Sequence, residues 1–312
     1  VHAVTIEGEA LTWRHHPDPE PGTGELLVAV RAAGLNGADL LQRRGLYPAP
    51  PGSPPDIPGL ELAGEVVAVG PGVRRFSMGD RVMAVVGGGG QAELALVHER
   101  TALPVPPGVG WEEAGGFPEA FTTAHDALFT QCRLAMGERV VVHGAAGGVG
   151  TAGVQLAVAA GARVVATVRR PELRPEVGQL GAEAVAPEEF AARGPFDVVL
   201  ELVGAPNLPA DLEALASGGR IAVIGVGAGT VAEIDLRTLM ARRGCIHGST
   251  LRSRPLEDKA AAARRVEASV LPLLAGRRVR VPVAAVFPMA EAEAAYRRFQ
   301  QGPKLGKIVL LS

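Results

Sequence analysis

The 312-residue chain is 47% hydrophobic and 21% charged, with a formal net charge of −2, which gives apolar material for about two domain cores. That balance speaks against nucleic acid or an anionic membrane as partner, and no apolar run approaches the roughly 18–20 residues of a spanning helix. Cys132 and Cys245 are too few for a disulfide framework or a cysteine zinc cluster, and no basic-then-apolar leader opens the chain, so a cytoplasmic location is expected.

Residues 1–110 read as β-rich. After the turn cluster Pro21-Gly22-Thr23-Gly24, the run from Glu25 to Ala33 is strand-like. Asn36 to Arg44 suits one or two helical turns, and the proline-rich stretch from Tyr47 to Pro58 reads as an ordered, irregular loop. Glu65 to Val69 ends at Gly70-Pro71-Gly72, and Arg81 to Val86 runs into the glycine tetrad 87–90. Short strands with close turn signals predict a compact barrel-like domain.

Strand-like and helix-like stretches alternate from about residue 118. Phe121 to Leu134 predicts a helix. Strands are expected over residues 139–143, 163–167, 196–200 and 219–224 and around Cys245-Ile246-His247, as in a parallel sheet with crossovers. Leu256 to Leu274 reads as one long helix. Strand character returns from Arg280 to Val286 and from Gly306 to Leu311, expected to rejoin the first domain.

The stretch that organises the chain is His143-Gly144-Ala145-Ala146-Gly147-Gly148-Val149-Gly150-Thr151. A buried-strand run precedes it, a small apolar helix follows it, and Gly161 is a helix stop. Strand, glycine-rich turn and helix form the context of a dinucleotide fingerprint, here spaced Gly144-x-x-Gly147-x-x-Gly150. Glycine lets backbone amides close on a pyrophosphate. A plain tight turn is the competing reading.

Several stretches together resemble a known family. They are Gly34-Leu35-Asn36-Gly37-Ala38-Asp39-Leu40, Arg44-Gly45-Leu46-Tyr47-Pro48, Pro58 to Gly64, Pro118 to Ala124, the 147–151 loop, Thr250-Leu251-Arg252-Ser253-Arg254 and Gly306-Lys307-Ile308-Val309-Leu310. In this order they resemble the zinc-free quinone oxidoreductase branch of the medium-chain dehydrogenase/reductase superfamily, of the p53-inducible quinone oxidoreductase type. The resemblance implies an α/β protein with a GroES-like β-rich catalytic domain (1–117 and 262–312) and a Rossmann doubly wound parallel-sheet domain (118–261). It also implies a homodimer.

Zinc relatives carry a Cys, a His-Glu pair and a later Cys or acidic ligand, often with a four-cysteine lobe. The matching places here hold Asn36 and Leu60-Glu61, the lobe is missing, and the histidines show no ligand spacing, so no metal is expected. Without a Lewis acid, an isolated carbonyl is a poor hydride acceptor. A quinone or conjugated enone spreads the incoming charge over its own π system and needs only hydrogen-bond donors. The expected activity is zinc-independent hydride transfer from NADPH to a quinone. An enone or 2-alkenal reductase and a low-turnover, crystallin-like NADPH-binding protein remain the alternatives.

NADPH is favoured over NADH because the second strand of the nucleotide domain ends in Arg169-Arg170 with no acid to hold a ribose 2′-hydroxyl. Both arginines facing water is the plain alternative. The resemblance puts Tyr47 by the nicotinamide and acceptor, Asn36 beside the acceptor and Thr123 near the nicotinamide. Each has a structural alternative: loop packing for Tyr47, a turn for Asn36, a bond within its own helix turn for Thr123. Asp39 is expected to cap or pair locally. Ala146, Gly147, Gly148, Val149, Gly150 and Thr151 form the expected pyrophosphate loop. Val203, Gly225, Val226, Ser249, Thr250 and Leu251 follow later strands and are expected along the cofactor. Lys307 is assigned to the cofactor set, with a solvated face as its default.

Overall fold

The computed structural model describes residues 1–312. The chain divides into two units, Val1–Thr122 with Leu251–Gly302 and Lys307–Ser312, and Thr123–Thr250 with Pro303–Gly306.

The first unit opens with an antiparallel hairpin, β1 (His2–Glu7) and β2 (Ala10–His15). Gly8 turns it with φ +62°, a conformation that favours glycine. Strand β3 (Glu25–Gly34) follows, then helix α1 (Gly37–Arg43), β4 (Glu61–Val69), β5 (Arg81–Val85), β6 (Leu94–His98) and β7 (Ala102–Pro104). Register shifts against β4 interrupt β3 at Leu27/Val28 and Val30/Ala32. Bulges of this kind bend a strand and sharpen its twist. The first half of β3 pairs with β6 and its far end with another strand, named below.

Short helix α2 (Trp111–Gly115) leads to α3 (Pro118–His125), and the division between units falls inside α3. The helix expected from 121 to 134 widens into a π-helical turn at Asp126–Gln131. The second unit then alternates as expected: β8 (Arg139–Val142), α4 (Gly148–Ala159), β9 (Arg163–Thr167), α5 (Arg174–Gly178), β10 (Glu183–Val185), β11 (Phe196–Glu201), α6 (Leu208–Glu213), β12 (Leu215–Val223), α7 (Leu236–Arg242) and β13 (Cys245–Gly248). All six strands pair in parallel in the order β10-β9-β8-β11-β12-β13. The central strands are apolar on both faces because helices cover both sides of a doubly wound sheet. Val141, Val165, Phe196, Val199 and Ile221 form its core.

The chain returns to the first unit at Leu251, earlier than the expected 262. The expected long helix is split into α8 (Leu256–Ser269) and α9 (Leu271–Ala275). Pro272 explains the break: it lacks an N–H and its ring collides with the carbonyl one turn back. Strand β14 (Val283–Pro288), helix α10 (Ala292–Gln300) and β15 (Lys307–Leu311) complete the unit. The larger sheet runs β14-β15-β3-β4-β5-β7, with β6 also on β3. No ladder joins β7 back to β14, so the expected barrel is an open, bent sheet by its hydrogen bonds. Leu26, Val28, Leu62, Val66 and the fully buried Tyr296 fill its core, and the Tyr296 hydroxyl donates to Gln91 Oε1 at 3.0 Å.

Candidate functional site

In the second unit the strand order reverses direction between β8 and β11. Open parallel sheets bind ligands at the carboxyl ends of strands at such a switch point. The fingerprint loop leaves β8 there. Gly144 has φ +62°, and Gly147 is the N-cap of α4, which has no side-chain cap and no acid in its first turn. The helix N-terminus therefore presents its partial positive charge uncompensated by the chain. A Cβ on Gly150 would lie 2.5 Å from Gly144 O and 2.7 Å from Ala145 Cα, so only glycine allows the loop to close on its helix. The Thr151 hydroxyl donates to Gly148 O at 2.9 Å, and Ala146 O accepts from Gly306 N at 2.8 Å.

The other expected cofactor residues of this unit sit at neighbouring strand ends. Arg169 and Arg170 follow β9 and are exposed; Arg170 leans toward Glu172 at 3.6 Å. Val203 and Gly204 follow β11, where their amides donate to Glu201 Oε1, Gly204 at 2.7 Å. Asn207 Nδ2 donates to the other Glu201 oxygen at 3.0 Å, so one carboxylate shapes the whole turn. Gly225 follows β12, where a Cβ would collide with Leu202 O, and Val226 beside it is exposed. After β13, Ser249 donates to Asp126 Oδ2 at 3.2 Å and Thr250 is exposed. Thr123 is buried in α3.

One histidine, His143, sits in a buried cluster with two carboxylates. His143, Glu201 and Asp211 place their ligating atoms within 4.8 Å of one another, all buried. His143 Nε2 lies 2.8 Å from Asp211 Oδ1 and Nδ1 lies 3.0 Å from the Thr167 hydroxyl. The imidazole is thereby spent on both nitrogens, and Phe190 meets it edge-on at 4.7 Å. Burial raises the Glu201 carboxyl, with Asp211 pushing the same way and His143 opposing. The network ties the ends of β8, β9 and β11 together beneath the loop. Residue spacing carries no signal for it, because its members lie on different elements.

In the first unit, Asn36, Glu61 and Lys307 form one buried cluster. Lys307 Nζ donates to Asn36 Oδ1 at 2.6 Å and to Leu35 O at 2.8 Å, and lies 2.6 Å from Glu61 Oε1. Asn36 Nδ2 donates to Glu61 Oε1 at 2.9 Å and to Gly34 O at 3.3 Å. Glu61 Oε2 accepts from Glu119 N at 2.8 Å. Two expectations change. Lys307 is neither solvated nor free for a phosphate, because all three of its donors have acceptors inside the chain. Asn36 has no amide hydrogen left for an acceptor carbonyl, because both point inward. Asp39 accepts from Asn36 N and Gly59 N, and burial lifts its carboxyl to about 7, with those donors and Lys307 opposing.

Tyr47 is half-buried. Arg252, 3% exposed, stands over its ring at 4.9 Å and donates to its carbonyl at 2.7 Å. Leu251 next to it is buried. In the sequence Arg252 stands out only as part of a family stretch, with no role attached.

Two family models match the chain: the alcohol dehydrogenase GroES-like domain over residues 22–107 and the zinc-binding dehydrogenase domain over residues 148–268. The rat (Rattus norvegicus) quinone oxidoreductase is 33% identical over 305 residues, covering 94% of this chain and 91% of that protein. This chain belongs to the quinone oxidoreductases of the medium-chain dehydrogenase/reductase superfamily. The quinone oxidoreductase of Thermus thermophilus, solved also with NADPH, superposes with a TM-score of 0.86 at 38% identity, over 100% of both chains. A cobalt- and zinc-bound thermostable alcohol dehydrogenase from Pyrobaculum aerophilum superposes with a TM-score of 0.85 at 28% identity, over 100% of this chain and 99% of that one.

Despite the name of the second domain family, the places matching zinc ligands do not form a zinc donor set here. Asn36 turns its oxygen to an ammonium, Leu60 is apolar and buried, and Glu61 is paired with Lys307. The chain is an oxidoreductase of this superfamily, and no helix is long and apolar enough to cross a membrane.

Proposed function

We propose that this chain is an NADPH:quinone oxidoreductase that works without zinc. The observation that carries the reading is Lys307, whose ammonium is held between Asn36 and Glu61 where metal-dependent relatives place ligands. With those donors committed, the substrate itself must delocalise the negative charge, as a quinone does.

The cofactor preference rests on Arg169. It is exposed at the end of β9 and makes no contact with a carboxylate, so its guanidinium is available to a ribose 2′-phosphate. The 146–151 loop would hold the pyrophosphate on backbone amides, and bound NADPH would supply the hydride. Tyr47 would pack on the acceptor ring and donate its hydroxyl to an acceptor oxygen, with solvent returning the proton. Thr123 and the turns at 203, 225–226 and 249–251 would line the cofactor.

A small-molecule substrate, a cytoplasmic location and no nucleic-acid partner complete the reading. The homodimer has its own support: β13 is an edge strand, and neither β13 nor α7 contributes a buried residue. Unpaired edges invite strand addition by a second copy.

The test is NADPH against NADH oxidation over a panel of para-quinones and simple enones, with metal analysis of the same sample. Faster turnover of quinones by a metal-free sample supports the reading. A stoichiometric zinc ion, or a higher kcat/KM for enones, overturns it.

A further inference from the structure

Arg252 is a buried cation whose three hydrogen-bond acceptors are all neutral. Nε donates to Gly87 O at 2.8 Å, Nη1 to Tyr47 O at 2.7 Å and Nη2 to Gln42 Oε1 at 2.5 Å. Gln42 in turn donates from Nε2 to Pro55 O at 3.2 Å. One guanidinium therefore joins α1, the glycine tetrad and, directly and through Gln42, both ends of the proline-rich loop. It also stands over the Tyr47 ring at 4.9 Å. Burying an arginine without a contacting carboxylate is costly, so its presence here points to a use for the charge.

We propose that Arg252 is a positioning residue for Tyr47: it pins the tyrosine backbone, covers one face of the ring and leaves the other face for a flat, conjugated acceptor. The inference rests on the reading of Tyr47 as an acceptor-side residue. The charge acts on the phenol as well. Burial, with a smaller push from Glu119, raises the Tyr47 hydroxyl, and Arg252 opposes both. Arg252 thus keeps the phenol a better hydrogen-bond donor than its half-buried setting alone would allow. A ring backed by a cation offers a rigid, flat platform, which suits a planar quinone better than a bent or saturated molecule.

The experiment uses the full chain with Arg252→Met, Arg252→Lys and Tyr47→Ala, alone and combined. Thermal unfolding and NADPH titration by nicotinamide fluorescence establish that each variant folds and binds cofactor. In the Tyr47 background, Arg252→Met is expected to lower kcat/KM for a para-quinone about tenfold, mostly through KM, with NADPH affinity unchanged. In the Tyr47→Ala background the same substitution is expected to change kcat/KM less than about threefold, because the ring it positions is gone. Equal losses in both backgrounds overturn the proposal.

A second measurement needs no turnover. The chain has two tyrosines, and Tyr296 is fully buried, so the ultraviolet phenol titration reads Tyr47. Arg252→Met should shift that titration to higher pH, while Arg252→Lys, which keeps the charge, should shift it less. An unchanged titration in Arg252→Met overturns the inference. A wild-type chain that reduces no quinone overturns the functional reading instead, and the titration still decides the role of Arg252.

Discussion

Lys307 Nζ lies 2.6 Å from Glu61 Oε1, and the two side chains are 2% and 0% exposed. Removing one member of such a pair strands the other charge. Lys307→Met is expected to destabilise the first unit by about 3–5 kcal/mol. Denaturant unfolding of the variant against the wild type measures this, and a loss below about 1 kcal/mol contradicts the buried pair.

Asp39 predicts a pH dependence. Its carboxyl ordinarily titrates near 3.8 and is held at about 7 in the fold, chiefly by burial. Between those values the folded chain keeps a proton that the unfolded chain has released. The stability from this group is therefore complete below about 4 and is lost as pH rises through about 7, by at most about 4 kcal/mol. Urea unfolding across that window should show a shallower fall for Asp39→Asn than for the wild type. Identical slopes count against the protonated aspartate.

Arg169 predicts cofactor choice. Arg169→Ala is expected to weaken NADPH binding roughly tenfold to hundredfold and to leave NADH nearly unaffected. Fluorescence titration with both cofactors checks it, and parallel losses would assign Arg169 to a general role.

The edge of the smaller sheet predicts the oligomer. Ile246 lies on β13 and is partly exposed. Ile246→Lys should shift the chain toward monomer in sedimentation or light scattering, since an edge lysine discourages strand addition. A wild-type chain that is monomeric at micromolar concentration removes the homodimer reading.

The nucleotide unit is largely legible in the sequence. The apolar run at Arg163–Thr167 and the glycine loop after β8 stand where their patterns place them. Short or polar strands are not legible. Glu183–Val185 is three residues long, and the β1–β2 hairpin mixes charged and apolar residues without a clear face. The site residues divide in the same way. Backbone-driven features, such as Gly150 against Gly144, follow from local chemistry. The pairing of Lys307 with Glu61, and of Arg252 with Tyr47, joins positions far apart in the chain, which no local pattern encodes. The single-helix reading of 256–274 passes over the proline at 272.

Strand β15 pairs with both β14 and β3, so the larger sheet is complete only when residues 307–311 are present. Residues 123–250 of the second unit are contiguous. During synthesis the nucleotide unit can gather its sheet while the first unit still waits for its far strands. Until then the far end of β3, Ala32–Gly34, lacks its partner on that side, and a ribosome stalled before β15 would hold a half-built sheet open to misassembly.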